Sequence, residues 1–308
     1  VQQSRGDRRE DTRCSNFRFE NTHLEIGAKP CEEELPYATC LDFMHQDVQD
    51  ERFDLISETL RCYEVDGFEL QMNYTPHYFH PSEIEQGQSV LTDWIRRVYE
   101  EVKDSGPDRH LIIRIPASIS GCESVGMDVR TWINEGIVDA FVGQTFSGPE
   151  LINSNADYTE LVQAASGSNC KVIGAIQSHV DSDRLSEGPI SMTRACATNY
   201  WAQGVDGLYL AHWFNLWPYE ADFYERLREL SHPDIMAPRD KFYFVPTITG
   251  RYPDPPLEPG MSMELSQELA EGETVDVNLT ISDDLPRWGK VGRVHDVILR
   301  FRLMSTTE

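Results

Sequence analysis

The chain has 308 residues, of which 40% are apolar and 26% are charged, and this globular composition excludes wholesale disorder. It carries 52 acidic residues against 27 lysines and arginines, for a net charge of −25. A surface this acidic repels phosphate backbones and anionic lipids, so we expect neither a nucleic-acid partner nor a membrane-surface partner. No apolar run approaches the roughly 20 residues that a membrane-spanning helix requires.

Cysteines, sequons and the first residues bear on the compartment. The seven cysteines are an odd number, and none has the spacing of a zinc site. Asn73 and Asn278 each begin a glycosylation sequon, and the chain starts at Val1 with neither an initiator Met nor an apolar leader. We therefore predict a processed or truncated, secreted glycoprotein with a disulfide. Nucleotide-binding glycine motifs are absent from the sequence, and we expect no cofactor and no metal.

The predicted elements alternate between strands and helices from about residue 35, after a polar, irregular extension over residues 1–34. Six short, non-alternating apolar runs predict strands buried on both faces: Tyr37–Phe43, Gly67–Met72, Leu111–Pro116, Ala140–Phe146, Lys171–Gln177 and Gly207–Trp213. Helical periodicity marks Phe53–Tyr63, Ser89–Lys103, Val129–Glu135, Tyr158–Ala165, Met192–Gln203 and Tyr219–Leu230. This order predicts a parallel α/β sheet over residues 35–240, either a (β/α)8 barrel of the TIM type or an open doubly wound sheet.

The pattern changes after residue 240. Strand-like stretches at Lys241–Thr247, Met261–Leu265, Thr274–Ile281 and Val294–Leu303 flank a proline-rich segment. The last two alternate apolar and polar residues, which is typical of antiparallel strands with one solvated face. We predict a small β-sandwich-like module over residues 241–308.

The candidate site lies at the carboxyl ends of the predicted strands, where barrel enzymes place their chemistry. Carboxylates and amides bind sugar hydroxyls, and aromatic rings stack on the apolar faces of sugars. The substrate-binding candidates are Arg114, Gln144, Gln177, His179, His212, Trp213 and Asn215. Asp66, Asp139 and Asp206 instead precede their strands, so we interpret them as structural residues at the opposite end of the sheet.

Glu69 is the strongest catalytic candidate, because it lies inside the apolar run Gly67–Leu70. Such surroundings should raise the pKa of its carboxyl and suit a general acid. The structural alternative is a buried ion pair with Arg114 on the next strand. Candidates for a second carboxylate are Asp181, Asp42 and Glu150, and a separation of about 5–5.5 Å from Glu69 would mean retention while about 6.5–9.5 Å would mean inversion.

Several segments resemble the glycoside-hydrolase-like barrel proteins of bacteria. The sequence YEVDGFEL at 63–70 is similar to their YDVDGIELD, and residues 126–139 are similar to their D-x-R-x-W-x-x-E-G-L-V-D segment. Residues 41–52 and 204–210 also match, so the resemblance covers roughly residues 38–300. It implies a (β/α)8 barrel with a C-terminal β module and glycoside hydrolase activity. Gln71 replaces an Asp that the family often has, which argues against a two-carboxylate mechanism at this strand.

The resemblance accounts for six of eight barrel strands and places the first two upstream of Val1. It thus implies a companion segment or chain that supplies the missing strands. The predicted function is a secreted glycoside hydrolase acting on a polysaccharide or oligosaccharide. The alternatives are a non-catalytic carbohydrate-binding or extracellular structural barrel and, less favoured, a metal-dependent hydrolase using His45, His77, His80 or His179.

Overall fold

The structure, a computed structural model, describes most of the chain between residues 16 and 301. The described residues are 16–29, 35, 38–73, 76–144, 152–180, 187–211, 213, 221–245, 269–294 and 296–301. Their helices are α1 Asn16–Glu20, α2 Gln46–Cys62, α3 Ile84–Ser105, α4 Ile119–Glu123, α5 Val129–Glu135, α6 Thr159–Ala165, α7 Ile190–Gln203, α8 Ala221–Glu229, α9 Pro233–Met236 and α10 Leu285–Lys290. None of these helices is long and apolar enough to cross a membrane.

The centre of the fold is a five-stranded parallel sheet whose spatial order follows the chain order. Its strands are β1 Gly67–Gln71, β2 His110–Ile115, β3 Ala140–Gly143, β4 Lys171–Ile176 and β5 Gly207–Leu210. A mixed α/β fold with a parallel sheet is therefore confirmed, and five of the six predicted strands are present. The sixth prediction, at 37–43, is wrong for its described residues. Leu41 forms only an isolated antiparallel bridge with Glu25, because this stretch pairs with the N-terminal segment instead of the sheet.

One face of the sheet packs against the helices and forms the core. Leu111, Ile113 and Ile115 of β2 are fully buried on this face. Two glycines let large aromatic rings approach the strands closely: a Cβ on Gly143 would lie 2.7 Å from the Tyr158 ring, and a Cβ on Gly174 would lie 2.9 Å from the Tyr200 ring. The two rings meet edge to face at 4.8 Å. Because Gly143 and Gly174 face these rings, the residues next to them on β3 and β4 point to the opposite face of the sheet.

The opposite face of the sheet is concave, as a contact between its two edge strands shows. The Tyr209 hydroxyl on β5 lies 3.5 Å from Glu69 Oε1 on β1. In a flat sheet these strands would be about 19 Å apart, four strand spacings, which is farther than the two side chains can span. The sheet must therefore curve so that its first and last strands face each other.

The strand register is compatible with part of a TIM-type barrel. When the strand register is extended from Tyr209 across the sheet, it leads to position 73, two residues after the end of β1. The residue that Tyr209 contacts is Glu69, four positions earlier, and four strand steps separate the two. A stagger of about one residue per strand is that of a closed (β/α)8 barrel.

Acidic side chains fix the amino-terminal end of the sheet. Asp139 accepts a hydrogen bond from the Leu111 amide at 2.7 Å and pairs with Lys103 at 2.9 Å. Asp206 repeats this arrangement with the Val172 amide and with Lys171. These hydrogen bonds confirm that Asp139 and Asp206 are structural residues.

The described part of the C-terminal region contains α10 and no strand. The prediction of a strand over Thr274–Ile281 is wrong. Backbone groups of this stretch form hydrogen bonds with side-chain amides instead of with a neighbouring strand. Asn155 bonds to the Asn278 carbonyl and the Thr280 amide, and Asn199 donates to the Thr280 carbonyl. The described residues of the other predicted strands, 241–245, 294 and 296–301, also lie outside any strand. Residues 261–265 lie outside the described residues, and the division into three domains stays a prediction.

The cysteines that the structure describes are all thiols: Cys40, Cys62, Cys122, Cys170 and Cys196. The predicted disulfide is therefore not found among them, whereas Cys14 and Cys31 lie outside the described residues. Burial raises the pKa of the Cys40 thiol to about 12. Cys62 is exposed on the last turn of α2.

Candidate functional site

Three side chains from separate strands meet on the concave face of the sheet. Arg114 Nε on β2 lies 2.8 Å from Glu69 Oε1 on β1, in ion-pair contact. The Arg114 guanidinium carbon lies 5.4 Å from the centre of the Tyr209 ring, and the Tyr209 hydroxyl donates a long, 3.5 Å hydrogen bond to the same Glu69 oxygen. We call Glu69, Arg114 and Tyr209 the concave-face cluster.

The concave-face cluster is accessible from solvent. The side chain of Glu69 is 33% exposed and that of Arg114 is 15% exposed. A buried Glu69–Arg114 ion pair was the structural alternative. The structure contains this ion pair, but its Glu69 side chain is partly exposed. Ion pairs that solvent reaches contribute little to stability, so the folded state does not require this one. Partial burial, with the negative charge of Glu69, raises the pKa of Tyr209, which keeps its hydroxyl a donor at neutral pH.

Two amide side chains follow strands of the same sheet and are buried without partners. Asn73, just after β1, is 1% exposed, and Gln144, just after β3, is fully buried. The side-chain nitrogen and oxygen of both residues make no hydrogen bond with the part of the chain that the structure describes. Gly143 faces Tyr158 on the helix side, so alternation along the strand directs Gln144 to the concave face, as for Val142. Most buried polar groups in proteins are paired, so these four atoms require an explanation.

Gln177 and His179, two further predicted binding residues, follow β4. Gln177 is buried at 1% exposure. His179 is half-buried, its Nδ1 lies 2.6 Å from Ser178 Oγ, and burial lowers the pKa of its imidazole. His179 also forms an isolated antiparallel bridge with Glu187. The structure thus places both residues in the turn beyond β4, at the carboxyl edge of the sheet.

Trp213 does not offer an open face for a sugar. Its side chain is 5% exposed, and the Arg226 guanidinium carbon lies 4.8 Å from its ring centre. The ring also contacts Phe223, and its N–H donates to the Ile176 carbonyl. Arg226 and Phe223 thus lie against the Trp213 ring, and its assignment as a substrate-binding residue stays a prediction.

Asp42, a candidate second carboxylate, is engaged in structural contacts. It is fully buried, and its carboxylate accepts hydrogen bonds from Lys29 Nζ at 2.6 Å and from the Met44 amide at 2.9 Å. Lys29 also pairs with Glu83 at the start of α3. The structure therefore does not support a catalytic role for Asp42, because it lies on no strand and links the N-terminal segment to α3.

Four further candidates, Glu150, Asp181, His212 and Asn215, lie outside the described residues. Among the residues that the structure describes, no three His, Cys, Asp or Glu side chains are grouped to hold a metal ion. Of the histidines considered for a metal, His80 Nδ1 lies 2.7 Å from Ser82 Oγ, and burial lowers the pKa of His77.

The two sequons differ in accessibility. Asn73 is buried, so a glycan attached to it would not fit beside the sheet, and the structure does not support glycosylation there. Asn278 is exposed, and glycosylation at this position stays a prediction.

Tyr209 belongs to the site but was not among the predicted site residues. The signal was present: Gly207 and Tyr209 share a face of β5, opposite the apolar Leu208 and Leu210. Period-two alternation alone could have placed Tyr209 on the face of Glu69 and Arg114.

No protein-family model matches the chain, and no curated protein is similar to it in sequence. Among solved structures, the chain is similar to native xylanase 10B from Thermotoga maritima, with a TM-score of 0.35 and 10% sequence identity. The match covers 53% of this chain and spans about half, 54%, of the xylanase. A likeness this weak carries no conclusion about activity, and membership of the glycoside-hydrolase-like family stays a prediction.

Proposed function

We propose that this chain is a glycoside hydrolase built on a TIM-type barrel, acting on a polysaccharide with Glu69 as the carboxylate that meets the sugar. The observation that supports the proposal is the concave-face cluster. Its carboxylate is partly exposed, is positioned by Arg114 and Tyr209, and lies on the face that a barrel encloses. Buried amides that follow β1 and β3 supply further hydrogen-bonding groups at the carboxyl-terminal end of the same sheet.

The contacts of Glu69 favour one catalytic role over another. A general acid must carry a proton, and protonated Glu69 would lose its ion pair with Arg114. As an ionised group, the same carboxylate would stabilise the positive charge that develops on the sugar ring, or attack the ring carbon. We therefore propose the role of nucleophile or charge stabiliser for Glu69, in place of the general acid that the sequence predicts.

Asp181 is our proposal for the second carboxylate. It follows β4 in the sequence, four residues after Gln177, at the carboxyl-terminal end where barrel chemistry is found. The contacts of Asp42 with Lys29 and Met44 favour a structural role for it, so we prefer Asp181.

The test is a screen of the full chain against algal, plant and bacterial polysaccharides, in which product release and direct binding are measured together. We expect the wild type to release sugar, and Glu69→Gln and Asp181→Asn to bind without cutting. Glu58→Gln, which changes an exposed carboxylate on α2, is the matched control and should cut like the wild type. Full activity of Glu69→Gln would overturn the proposal.

The second candidate is a carbohydrate-binding barrel without catalytic activity. The observation that favours it is the composition of the concave face: along the five described strands, Glu69 is the one carboxylate on that face, and Gln71 stands two residues after it. If the wild type and Glu69→Gln bind equally and neither releases sugar, this second function replaces the first.

Secretion and a companion segment are also proposals. The exposed sequon at Asn278 supports secretion, and a mass loss in Asn278→Gln after expression through a eukaryotic secretory pathway would test it. The partial exposure of β1 and β5 supports additional strands at the sheet edges. Intact-mass measurement and N-terminal sequencing of native material would detect a companion segment, and a single 35.3 kDa species without a partner would contradict it.

A further inference from the structure

We infer that the site accepts an uncharged, hydroxyl-rich polysaccharide and discriminates against polymers that carry carboxylate or sulfate groups. The inference rests on the proposed carbohydrate site and adds the chemical class of its ligand. It follows from two features of the described residues: the unpaired hydrogen-bonding groups, and the sign and accessibility of the charges.

The unpaired groups are of both kinds, donors and acceptors. Asn73 and Gln144 each have an unbonded amide nitrogen, which donates, and an unbonded amide oxygen, which accepts. A hydroxyl group donates and accepts, so it can satisfy either atom. A carboxylate or sulfate accepts only, so wherever it takes the place of a hydroxyl group at these atoms it leaves an amide oxygen without a donor. Because buried unpaired polar atoms are costly, the ligand that pairs all four atoms is favoured.

The charges of the concave-face cluster also favour a neutral ligand over an anionic one. Arg114 is the cation of the cluster, and its charge is already opposed by Glu69 at 2.8 Å. The Glu69 side chain is about twice as exposed as that of Arg114, so an approaching sugar meets the negative member of the pair first. Lys171, the first residue of β4, lies on the same face, and its charge is opposed by Asp206.

The charge of the whole chain adds a long-range contribution. A net charge of −25 repels an anionic polymer before it reaches the site and has no such effect on a neutral polymer.

The test is affinity electrophoresis of the full chain in gels that contain hydroxyethyl cellulose or laminarin, as neutral probes, or polygalacturonate or alginate, as anionic probes. We expect at least about tenfold tighter retention by a neutral probe, equivalent to losing one or two hydrogen bonds with the anionic one. The neutral interaction should also be the same at low and at high salt.

The Gln144→Leu variant tests the amide contribution separately. It should lose about tenfold in affinity for the neutral probe while its Tm stays the same or rises, because the change removes two buried atoms that lack partners. Asn199→Leu is the matched control: Asn199 is equally buried, but its amide bonds to Ser154 and Thr280, so its Tm should fall. A fold-supporting role for Gln144 would instead lower the Tm of both variants.

The outcomes separate the inference from the proposed function. Retention or cleavage of anionic polymers that equals or exceeds that of neutral ones would overturn the inference and leave the carbohydrate site intact. A folded Gln144→Leu protein with unchanged affinity for the neutral probe would also overturn the inference and leave the carbohydrate site intact. If no polysaccharide is bound or cut, the proposed function fails and the inference fails with it. The wild-type comparison decides between the polymer classes even if a variant does not fold.

Discussion

The Glu69→Gln substitution separates a functional carboxylate from a structural one, because the two roles predict stability losses of different size. The substitution removes one negative charge and keeps the side-chain length, so the lost interaction is mainly the ion pair with Arg114. At 33% exposure for Glu69 that pair is screened by water, and exposed pairs contribute about 0.2–1 kcal/mol. The 3.5 Å contact with the Tyr209 hydroxyl is long, and the Gln oxygen can still accept it.

We therefore expect the free energy of unfolding to change by less than about 1 kcal/mol, which corresponds to a Tm shift of at most about 2–4 °C. Activity should fall by about 10²–10³-fold or more if the carboxylate stabilises charge on the sugar. Urea unfolding followed by tryptophan fluorescence measures the first quantity, and sugar release measures the second. A loss of about 3 kcal/mol or more, the range found when a buried ion pair is broken, would refute our argument and make Glu69 structural.

The remaining predictions concern stability, thiol reactivity and pH. Asp139→Ala should cost about 1–3 kcal/mol in urea unfolding without changing polysaccharide binding, since it leaves the Leu111 amide without its acceptor at the end of the sheet opposite the candidate site. At pH 8, iodoacetamide should label Cys62 in the folded protein but label Cys40 and Cys196 only after unfolding, because burial raises the pKa of both thiols; peptide mass spectrometry checks this. Burial lowers the pKa of His77 and His179, so below about pH 6.5 the unfolded chain binds more protons than the folded one and the free energy of unfolding falls. A His77→Gln, His179→Gln double variant should flatten that part of the pH–stability curve, and an unchanged slope would contradict the assignment.

The parallel sheet could be predicted because its strands are continuous apolar runs. Phe141 and Val142 of β3 are buried on opposite faces, and only such burial selects apolar residues at every position of a strand. The stretch at 37–43 has the same composition, yet it pairs with Glu25 in the N-terminal segment. An apolar composition indicates that a segment is buried, but it does not indicate which segment pairs with it. This error therefore could not be avoided from the sequence.

The candidate site was only partly predictable, because local sequence patterns do not indicate contacts between distant segments. That polar residues follow β1, β3 and β4 is visible in the sequence, and Gln144 and Gln177 lie where they were expected. The contact between Glu69 and Tyr209 depends on the curvature of the whole sheet, which no local pattern encodes. The covering of Trp213 by Arg226 depends on where α8 packs, so an aromatic residue suited to stacking on a sugar became a buried one.

The two ends of the sheet use polar groups in opposite ways, and this asymmetry indicates where the function lies. At the amino-terminal end, Asp139 and Asp206 each bond to a backbone amide and to a lysine, so these hydrogen-bonding groups are occupied within the fold. At the carboxyl-terminal end, Asn73 and Gln144 are buried, and none of their side-chain polar atoms is paired with a described residue. Folding stability alone would replace such amides by apolar residues, because each unpaired atom costs about 1–3 kcal/mol. Their presence at the carboxyl-terminal end of the sheet is best explained by a ligand that completes their hydrogen bonds.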